Sequence, residues 1–172
     1  GLVAEKGGLL ILELINLMRK NEGSCFKFHI TGNGDLMSKF ELLSKYNPEL
    51  IQYYGVVDEK KFNNIIGKMD ILLNPHINKK GVLPFKLLEY IASGRIVISG
   101  PLNLSGTSLE WLLDGITLVD LKAGLWFDKI LRISEGQSLY YSKLKKIRQK
   151  TIKLYSHDRF NRDLSKLFTN LN

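Results

Sequence analysis

Apolar positions along this chain alternate between two rhythms. Leu10, Ile11, Leu14, Ile15 and Met18 fall three or four residues apart, which predicts a helix over residues 8–20 with one buried stripe. Phe26, Phe28 and Ile30 then alternate with Cys25, Lys27 and His29, the pattern of a strand ending at Thr31-Gly32. Leu36, Phe40 and Leu43 predict a second helix closed before Pro48, and Ile51-Gln52-Tyr53-Tyr54 a short strand ending at Gly55. Asp58 is placed to cap a helix whose stripe is Phe62, Ile65, Ile66 and Met69. The run from Asp70 to Asn74 predicts a strand stopped by Pro75, and a polar loop follows from His76 to Leu83. Pro84 suits the first turn of a helix running to Ser93, with Gly94 as its C-terminal cap. Arg95 to Ser99 is a strand of the buried type, Ser108 is placed to cap a helix ending at Gly115, and Ile116 to Val119 is the last clear strand. Residues 123–170 are helical in pattern, with breaks near Gly136 and Ser156-His157.

Strands separated by single helices predict an α/β fold: a Rossmann-like parallel sheet with right-handed crossovers and helices on both faces, and C-terminal helices appended. Such sheets bind ligands outside the carboxyl ends of their strands. That directs attention to the loops after Thr31, Tyr54, Asn74 and Ser99.

Composition narrows the partners. With 172 residues, 44% of them hydrophobic, the chain fits one domain able to build a core without staples: a sheet core over about 1–120 and helices over 121–172. Cys25 is the single cysteine, so no internal disulfide forms, which fits a reducing, cytoplasmic compartment. No apolar run approaches the ~20 residues that cross a bilayer, and no signal-peptide pattern is seen, so a soluble domain is expected. Against 17 acidic residues stand 25 Lys and Arg, giving +8, a charge that favours nucleotide phosphates, an anionic lipid surface or nucleic acid. Residues 143–153 hold Lys143, Lys145, Lys146, Arg148, Lys150 and Lys153 with no acid. That segment reads as a solvated face first, then as a peripheral contact with the inner face of a membrane, then as a nucleic-acid surface. Only Tyr140, Tyr141 and Tyr155 flank it as stacking aromatics, so no specific nucleic-acid partner is expected.

Residues 74–100 are the richest in chemistry. A helix beginning just after a strand-end loop presents free backbone N–H groups and a partial positive charge, which suits a phosphate. Lys86 lies in that first turn, where a cation opposes the helix dipole unless an anion sits between them. Glu89, three residues on, shares its face and suits hydroxyl groups. An i,i+3 surface ion pair between the two is the plainer alternative, and spacing does not choose between them.

The string Pro84-x-Lys86-x-x-Glu89-Tyr90-x-Ala92-x-Gly94-Arg95-x-Val97-x-Ser99 resembles the donor-site helix of GT-B-fold glycosyltransferases, the retaining enzymes with a group 1 type C-terminal domain. Further segments agree in order. Ala4-Glu5-Lys6-Gly7-Gly8 resembles the family's Glu-Lys-Gly turn, Thr31-Gly32-Asn33-Gly34 its strand-end Gly-x-Gly, and Tyr54-Gly55-Val56-Val57 its strand-end Gly-x-Val. Met69-Asp70-Ile71-Leu72-Leu73-Asn74-Pro75 resembles the strand that leads into the donor loop. The resemblance covers roughly residues 1–120. It implies that Lys6 reaches the donor diphosphate, that Gly32 and Gly34 belong to the donor site, and that Gly55 and Val56 meet the base through backbone groups. It implies further that backbone around Leu83, Pro84 and Phe85 faces the diphosphate or sugar, that Lys86 adds charge there, and that Glu89 accepts from the ribose hydroxyls. The chain departs from the family in two places. Gly81 stands where a first glutamate is common, as in a Pro-x-Lys-x-x-Glu subset, and Gly1 falls where an arginine is usual.

The resemblance implies the donor-binding domain of a glycosyltransferase of hexosyltransferase type, which builds a surface polysaccharide or glycolipid from a nucleoside-diphosphate sugar. The first strand of the domain would lie ahead of Gly1. An N-terminal acceptor domain, absent here, would carry the catalytic groups and leave this piece inactive by itself. Positioned cations and a helix dipole would stabilise the leaving diphosphate, so neither a metal nor another cofactor is expected. A non-catalytic nucleotide-sugar-binding module and a nucleotide-sugar epimerase-like domain are the competing readings. A dehydrogenase fits poorly, because Leu36 and Met37 stand where a dinucleotide fingerprint needs glycine. Of the three histidines, His29 sits in a strand, His76 in the donor loop and His157 near a helix break, and no catalytic triad follows from their spacing.

Overall fold

The computed structural model describes residues 7–21, 26–76, 84–136 and 138–155. Its elements, in chain order, are α1 (Gly8–Lys20), β1 (Phe28–Ile30), α2 (Met37–Tyr46), β2 (Ile51–Tyr53), α3 (Glu59–Ile66), β3 (Ile71–Asn74), α4 (Phe85–Ser93), β4 (Ile96–Ser99), a 3-10 turn (Glu110–Gly115), β5 (Ile116–Leu118), α5 (Ala123–Glu135) and α6 (Ser138–Tyr155). The helix over 8–20 matches its expected bounds. Asp58 caps α3 as expected, its carboxylate accepting the Lys61 N–H at 2.7 Å. Pro84 stands one position outside α4, at the N-cap, and Gly94 closes that helix in the left-handed conformation at φ 74°.

All strand pairs are parallel, and burial shows why β4 is the middle of its layer. Its four residues are all buried. Ile96 and Ile98 pack with Leu14 and Met18 of α1 and with Trp126 and Ile133 of α5, while Val97 packs with Leu87 and Ile91 of α4 and with Leu112. A strand covered on both faces reads as a continuous apolar run, which is how Ile96-Val97-Ile98 reads. A third cluster joins Ile15 to Ile30, Phe40 and Ile51, fixing α1 and α2 against β1 and β2.

The expected parallel α/β architecture is present, with one added detail of the sheet and one local expectation to correct. The sheet is not continuous among the described residues: β1 pairs with β2 in one sheet, and β3, β4 and β5 form another in that order. Nothing described pairs with the edges of β1 and β3 that look toward each other. The segment after Ser108 is a short 3-10 turn rather than a capped α-helix. Thr107 takes the local bonds instead, its hydroxyl donating to Leu104 O at 2.7 Å and accepting from Leu109 N at 3.2 Å. Such side-chain bonds offer the backbone a turn in place of a helix, and Gly115 ends the segment before it lengthens.

Candidate functional site

The strands run parallel, so their carboxyl ends share one side of the domain, and the loops there interlock. The Gly32 N–H donates to Gly55 O at 2.7 Å, joining the loop after β1 to the loop after β2. The Tyr53 hydroxyl donates to Gly32 O at 2.7 Å and fixes the same junction from the side. All three glycines of these loops have positive φ: 120° at Gly32, 155° at Gly34 and 66° at Gly55. Because the Gly55 carbonyl already serves Gly32, its own N–H and the groups of Val56 are the ones left for a ligand. Val56 is 76% exposed there.

At the ends of β3 and β4, the buried Asn74 amide donates to Ser99 Oγ at 2.9 Å, and Gly100 N donates to Asn74 O at 3.0 Å. That tie holds the start of the loop after β3 to its neighbour. Beside it α4 begins without a side-chain cap; Leu87 N donates to Pro84 O at 2.9 Å, which leaves the N–H groups of Phe85 and Lys86 at the open end of the helix. Lys86 and Glu89 are both exposed. No ion pair joins them among the described residues. The Lys86 ammonium lies instead over the Phe62 ring, 5.0 Å from its centroid, and Phe62 stacks with Tyr90 at 6.4 Å. Desolvation, and then the charge of Glu89, push the Tyr90 hydroxyl up to about 12, so it remains a neutral donor at ordinary pH.

A cavity of about 680 Å³ opens on this side and runs inward between β1 and β3. Pro84, Phe85 and Lys86 line its mouth with Thr31, Pro75 and His76. Gly32, Gly34, Gly55, Val56 and Glu89 are not among its lining residues. Lys6, Leu83 and Gly81, with Gly1, Cys25 and His157, lie outside the described residues. Phe62, under Lys86, was not singled out as a site residue, and Tyr90, stacked on it, entered only as part of the string that resembles the donor-site helix. The sequence signal of Phe62 was membership of the apolar stripe of α3, which gives no hint that a cation rests on it.

His29, on β1, lines the cavity and is tied to the residue just after β2. Its Nδ1 lies 2.8 Å from the Tyr54 hydroxyl, and Lys61 lies over the Tyr54 ring at 5.8 Å. Burial, and then the charge of Lys27, hold His29 below the ordinary histidine value. The unfolded chain therefore binds more protons than the folded one below pH ~6.5, so stability falls as pH drops through that value and levels off below the folded pKa. Thermal melts from pH 8 to 5 are expected to show a smaller acid loss for His29→Gln than for the parent chain.

Of the basic residues over 143–153, two serve the fold. Arg148 Nε donates to Ala92 O at 2.9 Å, and Lys150 lies over the Trp111 ring at 4.2 Å. Lys143, Lys145, Lys146 and Lys153 remain exposed. Among the described residues no helix is long and apolar enough to cross a membrane, and no three His, Cys, Asp or Glu side chains gather as a metal set.

A parallel α/β core with its loops interlocked at the carboxyl ends of the strands defines the class: a Rossmann-like half of a GT-B fold. The family model of the glycosyl transferases group 1 matches residues 1–135, and the chain belongs to that family. Among solved structures, TarM is similar over 97% of this chain and 33% of its own, with 19% identity and a TM-score of 0.69. The C-terminal domain of the glycosyl transferase group 1 family protein LpcC from Francisella tularensis is similar over 88% of this chain and 80% of its own, at 16% identity and 0.66. HepE of Anabaena, in complex with UDP and glucose, is similar over 98% of this chain and 46% of its own, at 9% identity and 0.69. The chain thus spans about a third of TarM and under half of HepE. The search of curated proteins returns no match.

Proposed function

We propose that this chain is the donor-binding domain of a glycosyltransferase that moves a sugar from a nucleoside diphosphate to a glycan or lipid-linked acceptor. One observation carries the reading: α4 opens without a side-chain cap at the cavity mouth, with Lys86 in its first turn and Glu89 on the next. In this reading the N–H groups of Phe85 and Lys86, the helix dipole and the Lys86 ammonium, swung from the Phe62 ring, together attract an anion to the open end of α4. In this reading the diphosphate sits at that place, the ribose hydroxyls reach Glu89, and the base lies toward Gly55 and Val56. Lys6 supplies a second cation. As the sugar–phosphate bond breaks, these groups stabilise the charge gathering on the leaving diphosphate, so no metal is needed. The acceptor and catalytic groups belong to a partner domain that closes over the mouth, and this piece alone binds without turning over. The UDP and glucose bound by HepE support a nucleotide sugar as ligand.

Calorimetric titration with UDP, GDP and ADP, then their sugar conjugates, at two salt concentrations tests the reading. Saturable binding of one nucleotide is expected. No binding by the folded protein rejects the donor role for this piece.

The exposed face of α6 favours a peripheral contact with anionic membrane in the same enzyme, at the inner face where lipid-linked acceptors would be met. Tyr141, Lys145 and Ile152 share a stripe, and Lys146 and Lys153 the next one; Tyr141, Ile152 and Tyr155 are 38%, 40% and 47% exposed. Lysines beside exposed aromatic and aliphatic groups suit a headgroup layer. Co-sedimentation is expected with phosphatidylglycerol-containing vesicles and not with phosphatidylcholine alone. It should fall several-fold between 50 and about 200 mM salt, within the reach of screening, and vanish when Lys143, Lys145, Lys146 and Lys153 become Glu. Absence of binding at low salt rejects the contact.

A further inference from the structure

The first turn of α4 carries a cation whose charge is met by a ring. Lys86 is exposed, and among the described residues no carboxylate pairs with it. Its ammonium lies over the Phe62 ring, 5.0 Å from the centroid. The negative face of an aromatic ring attracts a cation within about 6 Å of its centroid. At the start of a helix the dipole opposes a cation, so the ring on α3 offers Lys86 a better place than the turn itself.

The ring is well placed for this. Lys86 and Tyr90 stand at i and i+4 on α4, neighbours on one face of the helix. Both reach Phe62: the Tyr90 ring stacks with it, centroids 6.4 Å apart and planes 24° from parallel. Phe62 is half-buried and lies one turn ahead of the buried Ile66 on the same face of α3. Packed in this way, the ring has little freedom to move, whereas a lysine stem turns about several bonds. Phe62, Lys86 and Tyr90 all line the cavity at whose mouth the diphosphate is proposed to sit.

We infer that Phe62 is a positioning residue for Lys86: its ring holds the ammonium before the donor arrives and yields it to the diphosphate. The inference rests on the donor reading and adds a regulation of that same site. A charge-assisted bond to a phosphate oxygen is stronger than a cation–π contact at an exposed place, so the diphosphate takes the ammonium from the ring. The contact must nevertheless be broken at each binding event. Affinity is lowered in proportion to the share of molecules in which Lys86 is held. A contact of this kind shifts that balance roughly two- to fivefold. Removing the ring is therefore expected to tighten nucleotide binding, whereas a loss of packing alone would weaken it or leave it unchanged.

The test compares the parent chain with Phe62→Leu, Phe62→Tyr, Lys86→Met and the double variant Phe62→Leu with Lys86→Met. Leucine fills the half-buried place with apolar atoms but has no ring, and tyrosine keeps the ring. Each chain is titrated with UDP, GDP and ADP and with inorganic pyrophosphate, while NMR follows the CεH2 signals of Lys86. Protons above a ring face are displaced upfield. The signals are expected upfield in the parent and in Phe62→Tyr, at the ordinary lysine position in Phe62→Leu, and back at that position once nucleotide binds the parent. Phe62→Leu is expected to bind nucleotide roughly two- to fivefold more tightly. Phe62→Tyr should bind as the parent does, and the gain should vanish in the Lys86→Met background.

A nucleotide that binds Phe62→Leu no more tightly than the parent overturns the inference and leaves the donor reading standing. So does one that binds the parent without moving the Lys86 signals. Signals that are not upfield before any ligand is added overturn it whatever binds. If pyrophosphate frees Lys86 but no nucleoside diphosphate binds more tightly than pyrophosphate, the donor reading fails and the hold of Phe62 on Lys86 stands. Signals that neither kind of anion moves overturn the inference.

Discussion

Glu89→Ala is expected to weaken nucleotide binding roughly ten- to a hundredfold while leaving the thermal melt within a degree or two. Glu89 is exposed, and among the described residues its carboxylate makes no hydrogen bond or ion pair, so the fold does not depend on it. A charge-assisted hydrogen bond to a ribose hydroxyl contributes about 1.5–3 kcal/mol, and each 1.4 kcal/mol is about tenfold in affinity. Titration of the variant beside the parent checks this. A variant that binds as well as the parent would remove Glu89 from the site even if the nucleotide binds. Glu89→Gln keeps an acceptor without the charge and is expected to fall between the two.

Gly7→Ala is expected to destabilise the domain by about 3 kcal/mol. Gly7 has φ 84°, and an added Cβ would meet Pro75 Cβ at 2.5 Å and overlap its backbone carbonyl. Left-handed backbone in a residue with a Cβ costs roughly 1–2 kcal/mol, and crowding of this kind roughly 1–3 more. Neither Pro75 nor the helix start can move freely, because Asn74, just before Pro75, is tied to Ser99 and Gly100. The drop in Tm should be roughly 6–12 °C at about 2–4 °C per kcal/mol for a domain of this size. Gly124→Ala is the control of opposite sign. Gly124 lies in α5 with nothing within 4 Å of an added Cβ, so alanine there gains helix propensity of up to about 1 kcal/mol. If both substitutions left stability unchanged, the contact between Gly7 and Pro75 would not hold α1 in place.

Local rules carried the fold a long way. The apolar stripe of α1, the cap at Asp58 and the stop at Gly94 are each decided within a few residues, and each was readable from the chain. The continuous run Ile96-Val97-Ile98 announced a strand covered on both faces. What escaped depends on residues distant in sequence. The break in the sheet among the described residues lies between β1 and β3, some forty positions apart in sequence, where no local pattern announces it. Lys86 settles over Phe62, 24 positions earlier, and no spacing rule links them. The alternative of a Lys86–Glu89 ion pair was equally consistent with spacing, and only the direction of the side chains decides against it. The turn at Glu110 misled for a different reason: Ser108 and Thr107 are both capping residues, and the hydroxyl that took the local bonds belongs to Thr107.

The site was legible as a string of short motifs more than as a shape. Gly32 and Gly55 sit 23 positions apart, yet one backbone hydrogen bond joins their loops. Their common place at the carboxyl ends of β1 and β2 could be foreseen from the parallel topology. That Glu89 does not line the cavity could not.

The most direct test of the donor reading is amide chemical-shift mapping of the labelled chain during titration with a nucleoside diphosphate. The account predicts shifts gathered at Gly32, Gly55 and Val56 and along Phe85 to Glu89, absent in Glu89→Ala. Shifts confined to the lysine face of α6, or no shifts from a folded chain, would contradict it.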